Sequence, residues 1–426
     1  MFEALLNAFR APDLRRRILF VAGILLVFRF LAHVPVPGVD RTQLASFLES
    51  SPIFGLLDLF SGGGLTSFSV VALGVNPYIN ASIIMQLMTG VVPSLQALQR
   101  EGEYGRTKIN QYTRYLSVPM ALLQGYGFMA LLNSQQGVLT TPFDLGSWET
   151  WTQIATLTAG SVVLMWLGEL ITEKGIGNGV SFIIFAGIVS RAPGALIGFI
   201  NNPDLARLLL FAILGIAAVA VIIYIQEGQR RIPVQYASRV RGRRMYQGGQ
   251  TFLPLRVNQA GVIPIIFAVS ILLFPSQIAS YFTSSPDPIG AIARGVVSWL
   301  GQGSWLYVVL YFLLTVGFTY FYTAFTFKPD ETAEQLRKNG GFIPGIRPGR
   351  PTQDYLARVV TRITVAGALF LGIVAALPPF IGLVQPEFSN IALGGTGILI
   401  VVSVVVETMK QLEAQLLIRQ YEGFIR

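Results

Sequence analysis

The side chains that most often carry out catalysis are scarce in this chain. Its 426 residues include a single histidine and no cysteine, so they offer no thiolate nucleophile and no histidine pair for a metal site. The histidine, His33, lies at the end of the first apolar span, where a structural role is expected. The sequence has no serine-hydrolase motif and no phosphate-binding loop. We therefore predict that the protein is not an enzyme and uses no cofactor and no metal ion.

Charged residues inside apolar spans could do a second kind of chemistry, because they mark ion and proton routes through membranes. The candidates are Arg29, Glu169 and Glu407. Both glutamates fall near the inner ends of their spans, which favours an interfacial position. Arg29 lies deeper, and either snorkelling to the membrane surface or contact with a partner would explain it. So little charge argues against a pump, and a secondary transporter of a small solute is kept as the alternative function.

The strongest charge pattern is a basic loop at residues 226–256. It holds a single acid, Glu227, and seven arginines, which are Arg230, Arg231, Arg239, Arg241, Arg243, Arg244 and Arg256. A second basic loop follows at 328–358, and turn-forming glycines and prolines in both loops indicate built projections. Arginine pairs well with RNA phosphates and with protein carboxylates. These loops, the first and second basic arms, are predicted to dock a large acidic partner, with anionic lipid as the alternative.

Ten apolar segments are long enough to cross a bilayer as helices. They lie at residues 18–36, 76–93, 113–133, 152–172, 180–200, 207–225, 257–281, 304–327, 359–381 and 391–412. Only 12% of the residues are charged, about half the share typical of soluble proteins. Most of the 31 Lys and Arg fall on one side if both chain ends are cytoplasmic, as the positive-inside rule requires. Pro264 lies within the seventh segment, where we expect it to kink or open the helix.

An apolar stretch broken by glycines precedes the second span. Residues 53–71 carry Asp58 and three consecutive glycines, so we predict a short segment that dips into the membrane and returns. Directly after it, Ile79 and Ile83 are four residues apart and share a helix face. Ordinary packing is one explanation of this pair. A hydrophobic gate beside a movable plug is the other, because a narrow apolar pore excludes water and ions.

Several long motifs resemble the SecY family of bacterial protein-conducting channels. They are GVNPYINASIIMQL at 74–87, GEYGR at 102–106, QYTRY at 111–115, GIGNG at 175–179, VNQAGVIP at 257–264, GIRPG at 345–349 and GGT at 394–396. The resemblance implies an all-α polytopic membrane protein with ten transmembrane helices. These would form two pseudo-symmetric five-helix halves, residues 1–200 and 201–426, which make a clamshell around an hourglass pore.

The resemblance also implies positions for the parts of such a channel. A ring of aliphatic side chains at the pore waist would comprise Ile79, Ile83, Ile184, Ile266 and Ile400, with Val180 or Ile183 as alternatives in span five. The plug would be about residues 55–67, including Gly62, Gly63, Gly64, Leu65 and Thr66. A lateral gate between spans two and three on one side and seven and eight on the other would contain Thr89, Gln124 and Asn258. Partner docking would fall to Arg243, Arg244 and Arg347.

For function, the resemblance implies that unfolded secretory polypeptides cross the bacterial cytoplasmic (inner) membrane and that membrane-protein segments leave sideways into lipid. Signal sequences and nascent chains would be the substrates. The chain has no nucleotide-binding motif, so the driving energy would come from a partner. That partner would be the motor ATPase SecA, or the ribosome with its RNA and tunnel-exit proteins. The small subunits SecE and SecG would complete the channel.

Overall fold

Helices dominate the structure, which is a computed structural model of the chain. It describes all residues except 1–8, 10, 41, 45–57, 59, 60, 135–137, 141, 142, 145, 202–204, 237, 238, 242, 243, 247, 248, 284, 302, 385–388 and 426. The first half of the chain forms helices α1 (Pro12–Leu31), α2 (Asn76–Val91), α3 (Pro93–Arg100), α4 (Glu103–Ser134), α5 (Trp148–Lys174) and α6 (Gly179–Asn201).

Local chemistry explains several of these boundaries. Pro12 occupies the first turn of α1, where the missing N–H costs no hydrogen bond. Ser147 caps α5 by accepting a hydrogen bond from the Glu149 amide. Helices α2 and α3 meet at a bend of 96° next to Val92, because Pro93 cannot continue the preceding helix.

The second half of the chain continues with α7 (Leu205–Glu227), strands β1 (Gln229–Tyr236), β2 (Arg239–Arg241), β3 (Arg244–Tyr246) and β4 (Gln250–Arg256), and then α8 (Ile263–Ser280), α9 (Ile289–Leu300), α10 (Trp305–Thr326), α11 (Pro329–Lys338), β5 (Gly341–Phe342), α12 (Arg350–Val384) and α13 (Ser389–Ile425). Each of the ten predicted spans falls on one of the long helices. In the described part of the chain, five helices are long and apolar enough to cross a membrane by length and composition alone, or six if the bent pair α2–α3 is one span.

The expectation for Pro264 was wrong. Residues 257–262 do not begin the helix but form a turn, in which Gly261 adopts a positive φ of 65°. Helix α8 therefore starts at Ile263, and Pro264 lies in its first turn, where proline is tolerated. The proline inside this helix is Pro275.

The two basic arms share a small antiparallel sheet. Strand β1 of the first arm pairs with β4, and its far end pairs with β5 of the second arm, which gives the order β4-β1-β5. Side chains of Ile232, Val234 and Leu255 pack beneath this sheet against Leu356 of α12. Among the described residues, all five strands lie in the arms, which have an apolar core of their own.

The helices meet across the two predicted halves along two seams. Helices α2 and α4 contact α8 on one seam, and α6 contacts α13 on the other. One large apolar cluster includes buried side chains from every one of the ten long helices. The core therefore lies where the two predicted halves face each other. The boundary at residue 200 stays a prediction.

Candidate functional site

The five side chains predicted for the pore waist all lie in the central apolar cluster. Ile79 and Ile83 come from α2, Ile184 from α6, Ile266 from α8 and Ile400 from α13, and none is more than 6% exposed. Four helices, two from each predicted half, thus place these isoleucines in one apolar cluster. Their arrangement as a ring stays a prediction.

The alternatives in span five also lie at this place. Ile183 is buried in the same cluster as Ile184, and Val180 packs against the cluster while lining a neighbouring cavity. Helix α6 therefore presents three aliphatic side chains to the region, and the choice among them stays open.

A cavity of about 660 Å³ lies directly beside the apolar cluster. Ile79 and Ile266 belong to its wall, so the predicted waist borders it. Most of the remaining lining is polar and uncharged, and it includes Gln86 of α2, Gln111 of α4 and Asn178 at the α5–α6 turn. A cavity lined largely by uncharged polar residues and bordered by aliphatic side chains suits the passage of a chain of any sequence.

One ion pair stands in the cavity wall. Arg114 Nε lies 2.7 Å from Glu169 Oε1, and the two side chains are 48% and 19% exposed. The pair joins α4 to α5 and neutralises both charges. Glu169, which the sequence suggested to be interfacial, therefore faces the cavity with a partner. Its partner could not be identified from sequence, because 55 residues separate the two.

The described part of the predicted plug is organised around Asp58. Its carboxylate accepts hydrogen bonds from the backbone amides of Leu65 (3.0 Å) and Thr66 (2.9 Å) and from the Thr66 hydroxyl (2.6 Å). Asp58 is only 1% exposed, so these bonds compensate for removing its carboxylate from water. The predicted plug residues 55–57, 59 and 60 lie outside the described residues.

The glycines of the predicted plug allow this segment to pack closely against α1. Gly62 and Gly63 have positive φ values of 70° and 84°, which other residues rarely adopt. A Cβ atom on Gly62 would lie 2.6 Å from Phe28 Cζ and 3.0 Å from Gly187 Cα, whereas one on Gly63 would meet nothing within 4 Å. Of these two glycines, only Gly62 packs tightly between α1 and α6.

Arg29 bonds the predicted plug to α1. Its Nη1 donates a hydrogen bond of 2.9 Å to the Gly62 carbonyl, and Ser67 Oγ donates one of 2.8 Å to the Ala32 carbonyl. Of the two explanations offered for Arg29, the structure therefore supports a partner contact, within the same chain. Sequence reasoning had not connected this arginine to the plug.

The three predicted gate residues are buried, but the hydrogen bonds observed for two of them are local. Thr89 donates to the Gln86 carbonyl in its own helix, and Asn258 exchanges two hydrogen bonds with Gly261. Gln124 is 2% exposed, and its Nε2 has no hydrogen-bond partner among the described residues. The role of these three residues in a gate stays a prediction.

Two aromatic–glycine contacts mark the seam between the helices of the predicted gate. The Tyr281 ring lies so close to Gly127 that a Cβ there would come within 1.9 Å of it. Phe321 of α10 lies 3.7 Å from the position of a Cβ on Gly90 of α2. Sequence reasoning missed both contacts. The only signal in the sequence was the presence of glycines in spans two and three and of large aromatic residues in spans seven and eight.

The predicted docking residues lie on the arms. Arg347 is exposed, and its backbone carbonyl accepts a hydrogen bond of 2.9 Å from Thr352 Oγ1, which fixes the turn between β5 and α12. Arg244 begins strand β3 at the tip of the first arm, and only its backbone is described. Arg243 lies outside the described residues.

Comparisons with known proteins agree on one family. The SecY family model matches residues 69–409. The protein translocase subunits SecY of Streptomyces scabiei and Corynebacterium glutamicum are each 43% identical to this chain over the full length of both proteins. A solved structure described as a protein-conducting channel has a TM-score of 0.66 at 20% identity and covers 93% of this chain and 91% of that chain. Sec61 in the canine ribosome-channel complex from the endoplasmic reticulum gives 0.63 at 18%, with the same coverage. At these identities, the solved structures establish the fold.

Proposed function

The chain belongs to the SecY family, and we propose that it forms a channel that conducts unfolded polypeptides across the bacterial cytoplasmic membrane and releases apolar segments into lipid. The observation that carries this proposal is the cavity between the two predicted halves. It borders Ile79 and Ile266, which belong to an apolar cluster with isoleucines from four helices, and a glycine-rich segment is docked through Arg29. In its wall, Arg114 and Glu169 neutralise each other, and most of the other lining side chains are uncharged. Such a lining suits a conduit.

The physical logic of the waist supports this function. Secretory polypeptides of many sequences must slide through without binding, so charged or strongly hydrogen-bonding groups would slow them. A ring of aliphatic side chains blocks ions when the pore is empty, because a narrow apolar passage loses its water. The same side chains can move aside for a polypeptide, since no hydrogen bond between them has to break.

A substitution at Ile400 tests the proposal. Ile400→Asn places an amide at the predicted waist, which should admit water, raise the resting ion conductance and let proteins with crippled signal sequences cross. Single-channel recording in planar bilayers and an export assay measure the two effects. Ile400→Val, which keeps an aliphatic side chain, serves as the matched control. If Ile400→Asn, Ile83→Asn and Ile266→Asn all keep normal conductance and signal stringency, the waist assignment fails.

The basic arms are proposed to receive the driving partner on the cytoplasmic side, with both chain ends on that side as well. Ribosome docking is supported by the canine Sec61 structure of the same fold, which was solved in a ribosome-channel complex. The excess of arginine at the arm tip also suits the motor ATPase SecA, and SecE and SecG would be companion subunits.

Replacing Arg243 and Arg244 with Glu should weaken partner binding, and the remaining affinity should fall further with added salt. Normal binding of both partners at moderate salt would remove the tip from the docking surface.

The second arm is proposed to couple the partner to translocation. Arg347 is exposed on a turn whose backbone is fixed by the Thr352 hydrogen bond, so its attachment point is held in place. Arg347→Ala should lower translocation more than it lowers partner affinity. Equal rates for the variant and the parent protein in reconstituted vesicles would exclude this role.

A further inference from the structure

The root of the first basic arm is joined directly to the membrane helices. Helix α7 ends at Glu227 and strand β1 begins at Gln229, so Gly228 alone separates them. The Val257 amide, directly after β4, donates a hydrogen bond of 2.9 Å to the Gly228 carbonyl, directly before β1. This bond ties β1 and β4 together at the root of the arm. Displacement of the arm therefore acts on the end of α7.

One face of α13 contacts this root. Ile400, Ser403, Glu407 and Lys410 follow each other at intervals of three, four and three residues, which places them on a single stripe of the helix. Ile400, at one end of the stripe, belongs to the predicted waist. The other end reaches the arm root.

The contacts of this stripe are specific and polar. Ser403 Oγ accepts a hydrogen bond from Gln226 Nε2, and both side chains are less than a tenth exposed. Lys410 Nζ donates 3.1 Å to the Gln226 carbonyl and lies 3.8 Å from Glu227 Oε1. A lysine at this place pairs with the free carbonyls and the negative end of the α7 dipole. We call Gln226, Ser403 and Lys410 the arm latch.

The same stripe also faces the start of α8. A Cβ on Gly261 would lie 3.9 Å from Glu407 Oε2, so Glu407 borders the turn that Asn258 closes with its two hydrogen bonds. The turn leads into the helix that carries Ile266. One face of α13 thus connects the arm root, the entry of α8 and the waist.

We propose that the arm latch transmits displacement of the first arm to α13 and so to the waist. Gln226 and Lys410 are positioning residues for translocation, and they act through the helix that carries Ile400. Apolar packing alone would allow the root to slide along α13. Directional hydrogen bonds in a largely apolar setting fix one register between the two elements. This proposal rests on the docking role of the arms proposed above.

The first test removes the latch and leaves the arm intact. In the double variant Gln226→Leu with Lys410→Met, SecA-driven translocation of a model secretory protein in proteoliposomes should fall about three- to eightfold, as expected for one or two hydrogen bonds within a membrane. SecA affinity should stay unchanged. The single variant Lys410→Arg, which keeps a charged donor, should translocate at the parent rate. The matched control is Arg294→Met, which removes an exposed cation that pairs with Asp287 at 2.8 Å outside both arms and should leave the rate unchanged.

The outcomes separate the latch from the docking role. A double variant that translocates at the wild-type rate, or whose rate falls only in proportion to its SecA affinity, overturns the latch. The docking proposal fails by a different result, which is normal partner binding by the channel that carries Arg243→Glu and Arg244→Glu.

A cross-linked channel keeps the proposal testable if the double variant folds poorly. The native chain has no cysteine, so Gln226→Cys with Ser403→Cys introduces the only two thiols. Joining them with a short thiol-reactive linker should restore translocation relative to the unlinked form, because the link replaces the lost hydrogen bond. A linked channel that is slower than the unlinked one contradicts the proposal, since it shows that the two helices must separate.

Discussion

Replacement of Gly62 by alanine should displace the plug. In the structure, Gly62 has a φ of 70° and packs against α1 and α6. An added Cβ would lie 2.6 Å from Phe28 Cζ and 3.0 Å from Gly187 Cα, both closer than side chains normally approach. Phe28 is fully buried, so its ring cannot turn out of the way into solvent. The plug must therefore move for the methyl group to fit.

The free-energy change has two parts. Alanine in a left-handed conformation costs about 1–2 kcal/mol. The collision with Phe28 and Gly187 is an overpacking effect, which costs about 1–3 kcal/mol. Gly63→Ala is a matched control, because Gly63 has a similar φ of 84° and a Cβ there would meet nothing within 4 Å. The difference between the two variants isolates the contact and corresponds to about a 5- to 150-fold larger population of displaced plug.

Single-channel recording without a translocating substrate measures this difference. Gly62→Ala should open far more often at rest than Gly63→Ala, and Gly63→Ala should leak slightly more than the parent channel. Export of a protein with a crippled signal sequence should follow the same order. Equal resting conductance in the two variants would falsify the idea that close packing at Gly62 keeps the plug in place.

Two further predictions use the same preparations. Arg29→Met should raise the resting conductance, because the Gly62 carbonyl loses a hydrogen bond from a charged donor worth about 1.5–3 kcal/mol. Arg29→Lys should give an intermediate conductance. Wild-type conductance in Arg29→Met would show that this hydrogen bond does not hold the plug. Gln124→Met should raise the hydrophobicity that a signal sequence needs for export. The change removes a buried Nε2 that lacks a hydrogen-bond partner among the described residues, and this should stabilise the closed seam of the predicted gate by about 1–3 kcal/mol. Export of signals of graded hydrophobicity measures this threshold, and a lowered threshold contradicts the prediction.

The membrane helices were predictable because apolar length is a strong and local signal. Each of the ten predicted spans overlaps a helix, and the glycine run marked the turn that fits against α1. Pro264 shows where such a signal becomes weak. Apolar residues continue through 257–262 without being helical, and the proline itself marks the true start of the helix, since proline favours the first turn.

The sheet of the arms was missed although its pattern was present. Ile232 and Val234 alternate with exposed or half-buried neighbours, as expected for a strand with one buried face. The arginines around them drew attention to charge, and the pairing of β1 with β5 joins segments about a hundred residues apart. The partners of Arg29, Glu169 and Lys410 were hidden for the same reason. A single sequence shows that a charge lies in a span, but folding decides which distant group it meets.

If residues 55–67 act as the proposed plug, its closure has to be reversible, and the contacts observed here are of a suitable strength. The Arg29–Gly62 hydrogen bond involves a charged donor and contributes about 1.5–3 kcal/mol, and the neutral Ser67–Ala32 bond contributes about 0.5–1.5 kcal/mol. Together they favour the docked plug by about 2–4.5 kcal/mol, or roughly 30- to 2,000-fold. A signal helix that buries a few large apolar side chains gains about 1.5–3 kcal/mol for each, which is enough to reverse that preference. A single arginine bonded to a backbone carbonyl therefore makes a seat that such a signal can release.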